Sequence, residues 1–298
     1  MKKFNLMILC VALSLAGIHA QKPIKITEDS IAFSTFTAPG VVVCIPEVNY
    51  ESVQKNWVKE LESGTKSKAV YEKGEWSVMG AIMKDISPAA LTVYSKLANQ
   101  DSMVKMMVSM ELKKDVYIEK GSSEGELVKM ENRLKEFAKN QYIALAEEQL
   151  KEEERKLKEL EKELSSHQKD ETGFEKSIRS DEKNIREAED NLVVLNNELN
   201  TLTAEIAAQN TELNTLAEGA ARDEKTKYIK DLEKRKKKLM NDIKSANNHI
   251  DRSKDDIRDA NADIPKAQTM QKEASEKIAA QESVVRKFEE KLNVIKSY

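Results

Sequence analysis

Hydrophobic and polar residues change rhythm about a third of the way along the chain. Before residue 120 the apolar positions alternate in twos; beyond it they recur in sevens. Across 102–112, Val104, Met106, Val108, Met110 and Leu112 alternate with Met103, Lys105, Met107, Ser109 and Glu111, which predicts a strand with one apolar face. The turn Asn99-Gln100-Asp101 joins it to a strand over 91–97, and Lys73-Gly74-Glu75 joins strands over 68–72 and 76–83. Ahead of these, Asn49 caps a helix that places Val53, Trp57 and Leu61 on one side, and Gly64 ends it. Earlier still, the pattern predicts strands over 31–36 and 41–45. The expected unit is a small α+β head over 21–121, one antiparallel sheet with a helix on one face.

The seven-residue rhythm predicts a coiled-coil hairpin over 122–298. Ser123 and Glu126 have the spacing of a capping box. From Leu150 to Leu216 the a and d positions are held in one phase by Leu157, Leu160, Leu164, Phe174, Ile178, Leu195 and Leu202, among others. A second register runs from Ile229 to Ile295. Gly173 and Pro265 interrupt the two arms without shifting either phase, and a kink is expected at Pro265. Between the arms, Gly219 suits a helix C-terminus and Asp223 an N-cap. The arms are expected at about 123–218 and 224–298, with the tip at 219–223, each reaching about 115 Å at roughly 1.5 Å per residue. Polar seam residues Glu171, Asp181, Gln209 and Lys236 would resist slippage.

Two antiparallel alignments keep core against core. One sets Leu199 against Ala246, Ala188 against Ile257 and Gln209 against Lys236. The other sets His167 against Gln271 and Gly173 against Pro265, and centres the turn on Gly219. Matching large to small side chains favours the first.

Composition agrees with much long helix and little globular core: of 298 residues 34% are charged and only 5% aromatic. The net charge of −3 comes from interleaved acids and bases, which argues against a nucleic-acid partner. Lys2 and Lys3, the apolar run Leu6 to Ile18, and Ala20 before Gln21 read as a signal peptide over 1–20, too short to span a bilayer. The protein is therefore expected to be exported, to the periplasm first and the extracellular space second. Loss of Cys10 with the signal leaves Cys44 alone, read as a small buried apolar residue in Val41-Val-Val-Cys-Ile45.

Candidate chemistry is sparse. The sequence lacks P-loop, dinucleotide, nucleophile-elbow, zinc-protease and Cys-x-x-Cys patterns, so no catalytic, cofactor-binding or metal-ligating residue is assigned and no enzyme is expected. Met103, Met106, Met107 and Met110 invite a copper reading, but a strand points 106 and 110 away from 103 and 107. His167 falls on the seam, where protonation would be felt, and His249 lies beside Ile250. One surface run stands out: Lys234, Arg235, Lys236, Lys237 and Lys238, a candidate patch for an anionic partner in the envelope.

The order of the head elements, with Trp57 on the helix and a four-strand meander after it, resembles small exported bacterial domains of unknown function with a TATA-binding-protein-like (TBP-like) fold. The resemblance covers about a third of the chain and implies no activity. A β head with helical tentacles is similar in outline to the Skp-type trimeric chaperones of the periplasm, although here the hairpin follows the head. The expected function is a structural spacer or interaction scaffold, with a periplasmic holding chaperone as the alternative. Partners are expected to be proteins, or further copies, meeting the hairpin.

Overall fold

The computed structural model describes residues 23–298; the expected signal peptide, with Cys10, lies outside the described residues. Strands β1 (Lys25–Ala32) and β2 (Thr37–Pro46) precede helix α1 (Tyr50–Leu61). Then come β3 (Val70–Glu72), β4 (Glu75–Ala81), β5 (Leu91–Gln100), β6 (Met103–Lys113) and the short β7 (Val116–Tyr117). Two long helices follow, α2 (Glu124–Thr215) and α3 (Ala220–Ser297). The chain thus has the expected class: an antiparallel sheet with a short helix, then two long helices in contact as a hairpin. It divides into two compact units, one reaching Leu157 and including Ala280–Tyr298, the other Lys158–Ala279.

In the first unit the sheet order is β1-β2-β6-β5-β4-β3, every pairing antiparallel, with β7 on the end of β6. Tight turns close the hairpins: Lys73 and Gly74 both take positive φ, as the β3–β4 turn requires, and Asp101 does so between β5 and β6. The strand alternation places Val104, Met106, Val108 and Met110 in the main core, together with Val43, Ile45, Val78 and Val93. Helix α1 lies over this face through Val53, Trp57 and Leu61, its N-terminus capped by Asn49, whose side chain accepts from the Ser52 N–H. Trp57 is wholly buried and satisfies its indole N–H by donating to Ser95 Oγ at 2.9 Å. The same core takes in Leu127, Met130, Leu134 and Phe137 from the opening turns of α2, and the Phe137 ring stands edge-on to Trp57.

Three local expectations are corrected. The first strand is Lys25–Ala32, not 31–36: Phe33 to Phe36 form a turn, closed by Phe33 N–H donating to the Phe36 carbonyl. Its aromatic rings pack with Tyr94 on the second face of the sheet, beside Ile31, Ala38 and Met107. Cys44 is half-buried rather than buried, on the face opposite Val43 and Ile45, with Lys25 and Lys105 as its cross-strand neighbours. Ser123 does precede the first helical residue of α2, but its hydroxyl turns back to the Glu119 backbone, accepting from its N–H at 2.9 Å, and forms no box with Glu126.

In the second unit, the a and d positions of both predicted registers are buried or half-buried, and nearly all other positions are exposed. The alignment is the one that size matching disfavoured. Gln271 Nε2 donates to the His167 carbonyl at 3.2 Å, and Tyr228 Oη donates to Glu205 at 2.6 Å. These contacts set Gly219 at the turn and bring Gly173 level with Pro265; the pairing of Leu199 with Ala246 is a heptad out. The tip is also shorter than expected. Helix α2 stops at Thr215 and α3 starts at Ala220, so Gly219 (φ +148) precedes α3 and its carbonyl accepts from Arg222 and Asp223 N–H. Asp223 is therefore a first-turn residue, not the cap, and its charge suits the positive end of the helix dipole.

Candidate interaction site

Helix α2 ends without a basic residue in its last turn. The deficit is met from across the tip: the Arg222 guanidinium donates to the Leu216 carbonyl at 2.8 Å and to the Leu213 carbonyl at 3.4 Å. A cation at a helix C-terminus satisfies orphan carbonyls and favours the dipole, so one residue both starts α3 and closes α2.

Along the seam, three glutamines of α3 hold two glutamates of α2. Gln271 Nε2 donates to Glu171 at 2.6 Å, joined by Gln268 at 2.7 Å, and these bonds hold the Glu171 carboxyl below its ordinary value. In the first unit, Gln281 repeats the arrangement on Glu153, donating to its carboxylate at 2.7 Å and its carbonyl at 3.1 Å. Of the polar seam residues picked from sequence, Glu171 is thus tied across the interface. Asp181 accepts from Ser177 within its own helix. His167 is flanked by Glu163 and Asp170 at 3.9 and 3.8 Å.

A polar clasp closes the first unit. Glu47 follows β2 with a left-handed backbone (φ 62), its N–H donating to the Ser102 carbonyl. Its carboxylate receives Tyr142 Oη at 3.1 Å and the Lys291 ammonium, which also donates to Gln149 at 3.1 Å. Burial first, then the Glu47 charge and hydrogen bond, pushes the Tyr142 hydroxyl far above its ordinary value. Beneath the clasp, Tyr142 and Ala146 of α2 pack with Leu292 and Ile295 of α3, and Tyr298 and Ile24 join them. Sequence reading missed Glu47 and Lys291, each one charged residue among many.

A second polar junction lies under α1. Arg133 of α2 bridges Glu60 of α1 and Asp85 of the β4–β5 loop, beside a cleft lined also by Lys129, Asn132 and Asn140. Burial raises the Asp85 carboxyl, but the Arg133 hydrogen bond and charge outweigh it and leave Asp85 below its ordinary value. The arrangement joins three segments and consumes both carboxylates. Among the described residues no group of three or more His, Cys, Asp or Glu is placed to hold a metal ion. Met106 and Met110 sit in the main core while Met107 packs on the other face of the sheet, so the four methionines do not converge.

The basic run Lys234 to Lys238 lies on α3 in the second unit. Lys236 occupies the seam and is half-buried; the other four are exposed. Lys234 pairs with Asp231 at 3.0 Å, the one ion pair the run makes among the described residues. No protein-family model matches this chain, and no curated protein does. No helix among the described residues is long and apolar enough to cross a membrane.

Proposed function

We propose that this protein is a non-enzymatic, exported interaction scaffold of the cell envelope, an α+β head presenting a coiled-coil hairpin to partners. The carrying observation is the division of labour along the two long helices. The seven-residue stripes are used to pair α2 with α3, while the remaining positions stay exposed and largely charged. Such a surface suits extended contacts with proteins or with further copies. The clasp at Glu47 supports the same reading, because it ties α3 back to the sheet at Lys291.

A holding chaperone is the second reading. It is favoured by exposed apolar side chains on the second unit: Val193, Val194, Met240 and Met270 are each about half or more exposed. Size-exclusion chromatography with light scattering, followed by an aggregation-suppression assay, separates the two. A monomer or dimer that leaves an unfolding client to aggregate fits the scaffold. A trimer that keeps the client soluble fits the chaperone and overturns it.

A further inference from the structure

One side of α3 carries a charge pattern that the hairpin does not use. On a helix of 3.6 residues per turn, Lys227, Lys230, Lys234, Lys237, Lys238 and Lys244 fall on the side opposite the seam, and all six are exposed. They span about 26 Å of helix at roughly 1.5 Å per residue. Only Lys234 has a carboxylate within ion-pair distance, that of Asp231; among the described residues the other five make none. Helix α2 does not compensate. Its stretch 200–204, level with the run, is uncharged; of the acids flanking that stretch, Glu205 is engaged by Tyr228 and Glu212 by Lys225, and Glu198 makes no ion pair with the six lysines among the described residues.

We propose that this lysine face docks on an anionic lipid surface. Three features select that partner. The cations are all lysines, point charges on flexible stems, which suit a fluid field of headgroups; a fixed array of carboxylates or phosphates would favour the planar fork of arginine. The face holds no aromatic or aliphatic residue, only Asn241 and Asp231 among the lysines, so it lacks the buried anchors that dominate protein–protein contacts. And the charges lie in a line on the convex outer side of one helix, a geometry that meets a plane along its length and offers no groove to a saccharide chain.

The lysine face belongs to the second unit alone, and its binding is read without reference to the oligomeric state that divides scaffold from chaperone. The test is co-sedimentation of the full chain with phosphatidylcholine vesicles containing about 40% phosphatidylglycerol, set against pure phosphatidylcholine, since the attraction needs an anionic leaflet. Binding is expected only to the anionic vesicles, and it is lost when ionic strength rises from about 0.05 M to about 0.5 M. The variant K230Q/K234Q/K237Q binds about 100-fold more weakly, as three lysines near an anionic surface imply. The control K162Q/K169Q/K176Q removes the same charge from exposed positions of α2 and binds as the parent does. Circular dichroism checks that both variants keep their helix. No binding to the anionic vesicles, equal loss in both variants, or preferential capture by a soluble acidic polysaccharide such as polygalacturonate would overturn the proposal.

Discussion

Lys291 and Glu47, separated by 244 positions in the chain, form an ion pair in which the lysine side chain is only 11% exposed. The pair joins the penultimate turns of α3 to the end of β2, and the Tyr142 hydroxyl donates to the same carboxylate. Glu47 supplies this carboxylate from a left-handed backbone, a conformation that costs an L-residue roughly 1–2 kcal/mol relative to glycine. Two substitutions separate the charge from the backbone. Both E47A and E47G remove the clasp, and E47A is expected to lose about 2 kcal/mol against the parent in urea unfolding. E47G should lose about 1 kcal/mol less than E47A, because glycine accepts the positive φ. Equal losses would mean the backbone at 47 is unstrained.

Tyr142 gives the clasp a signature in alkali. Its hydroxyl is protonated in the folded state to a pH well above the ordinary tyrosine value, through burial first and the Glu47 charge second. Unfolding frees it to ionise near pH ~10, so above that the unfolded state binds fewer protons and stability falls as pH rises. Its stabilising contribution is whole below about pH 10 and fades as pH climbs towards the folded value. Urea midpoints measured between about pH 8 and pH 11 should therefore decline, and Y142F should flatten the upper part of that decline by up to about 1.4 kcal/mol per pH unit.

Both layers of the fold were legible where periodicity did the folding. The strand rhythm across 102–112 and the seam stripes of α2 and α3 recur in the burial pattern because alternation and heptads directly encode which side faces a neighbour. What escaped reading had no periodic imprint. Strand β1 is an edge strand carrying Lys25, Glu28, Asp29 and Ser30, held by its ladder to β2 rather than by an apolar face. The turn after it is aromatic, since Phe33 and Phe36 pack on Tyr94, and so lacks the usual glycine or asparagine. The clasp joins residues at opposite ends of the described chain.

The hairpin alignment was misread for a related reason. Small residues recur at successive d positions of α3 (Ala246, Ser253, Ala260, Ala267, Ala274), so a slip of one heptad still sets large against small. Size cannot choose between the two; the polar bonds from Gln271 to His167 and Glu171 can. In a C44S background, L192C/A246C should form an intramolecular disulfide readily and L199C/A246C should not. Adding E171L/Q271L replaces the polar tie with leucines. That change should leave stability within about 1.5 kcal/mol of the parent or above it, and let the 199–246 crosslink appear. Crosslinking at 199–246 with the polar tie intact would contradict the alignment.

Gly40 is the tightest glycine of the sheet. A Cβ built there would stand 2.3 Å from the Val108 carbonyl oxygen and 2.5 Å from Ile31 Cδ1. The backbone of β6 cannot yield without disturbing the core it carries through Val108 and Met110. G40A is expected to cost about 2–3 kcal/mol, as overpacking of a full interior does. Its effect should fall on the first unit: hydrogen exchange quickens in β2 and β6, while protection around Ile250 in the second unit stays as in the parent.

Gly173 and Pro265 lie level with each other in the hairpin, one on each helix, and both are exposed. Nothing within 4 Å would meet a Cβ at 173, so the glycine serves no close approach; it lowers the stability of α2 by about 1 kcal/mol relative to alanine. Pro265 cannot donate to the carbonyl one turn earlier, a larger loss of up to about 3 kcal/mol. Two weak points at one level make that level the place where the second unit opens first. Hydrogen exchange should be faster around 170–176 and 262–268 than around Leu202 or Ile250, which are buried in the seam away from both breaks. G173A and P265A should each slow exchange there and raise the unfolding midpoint, P265A by more. The double variant should come close to the sum if the two helices weaken independently, and exceed it if opening one frees the other.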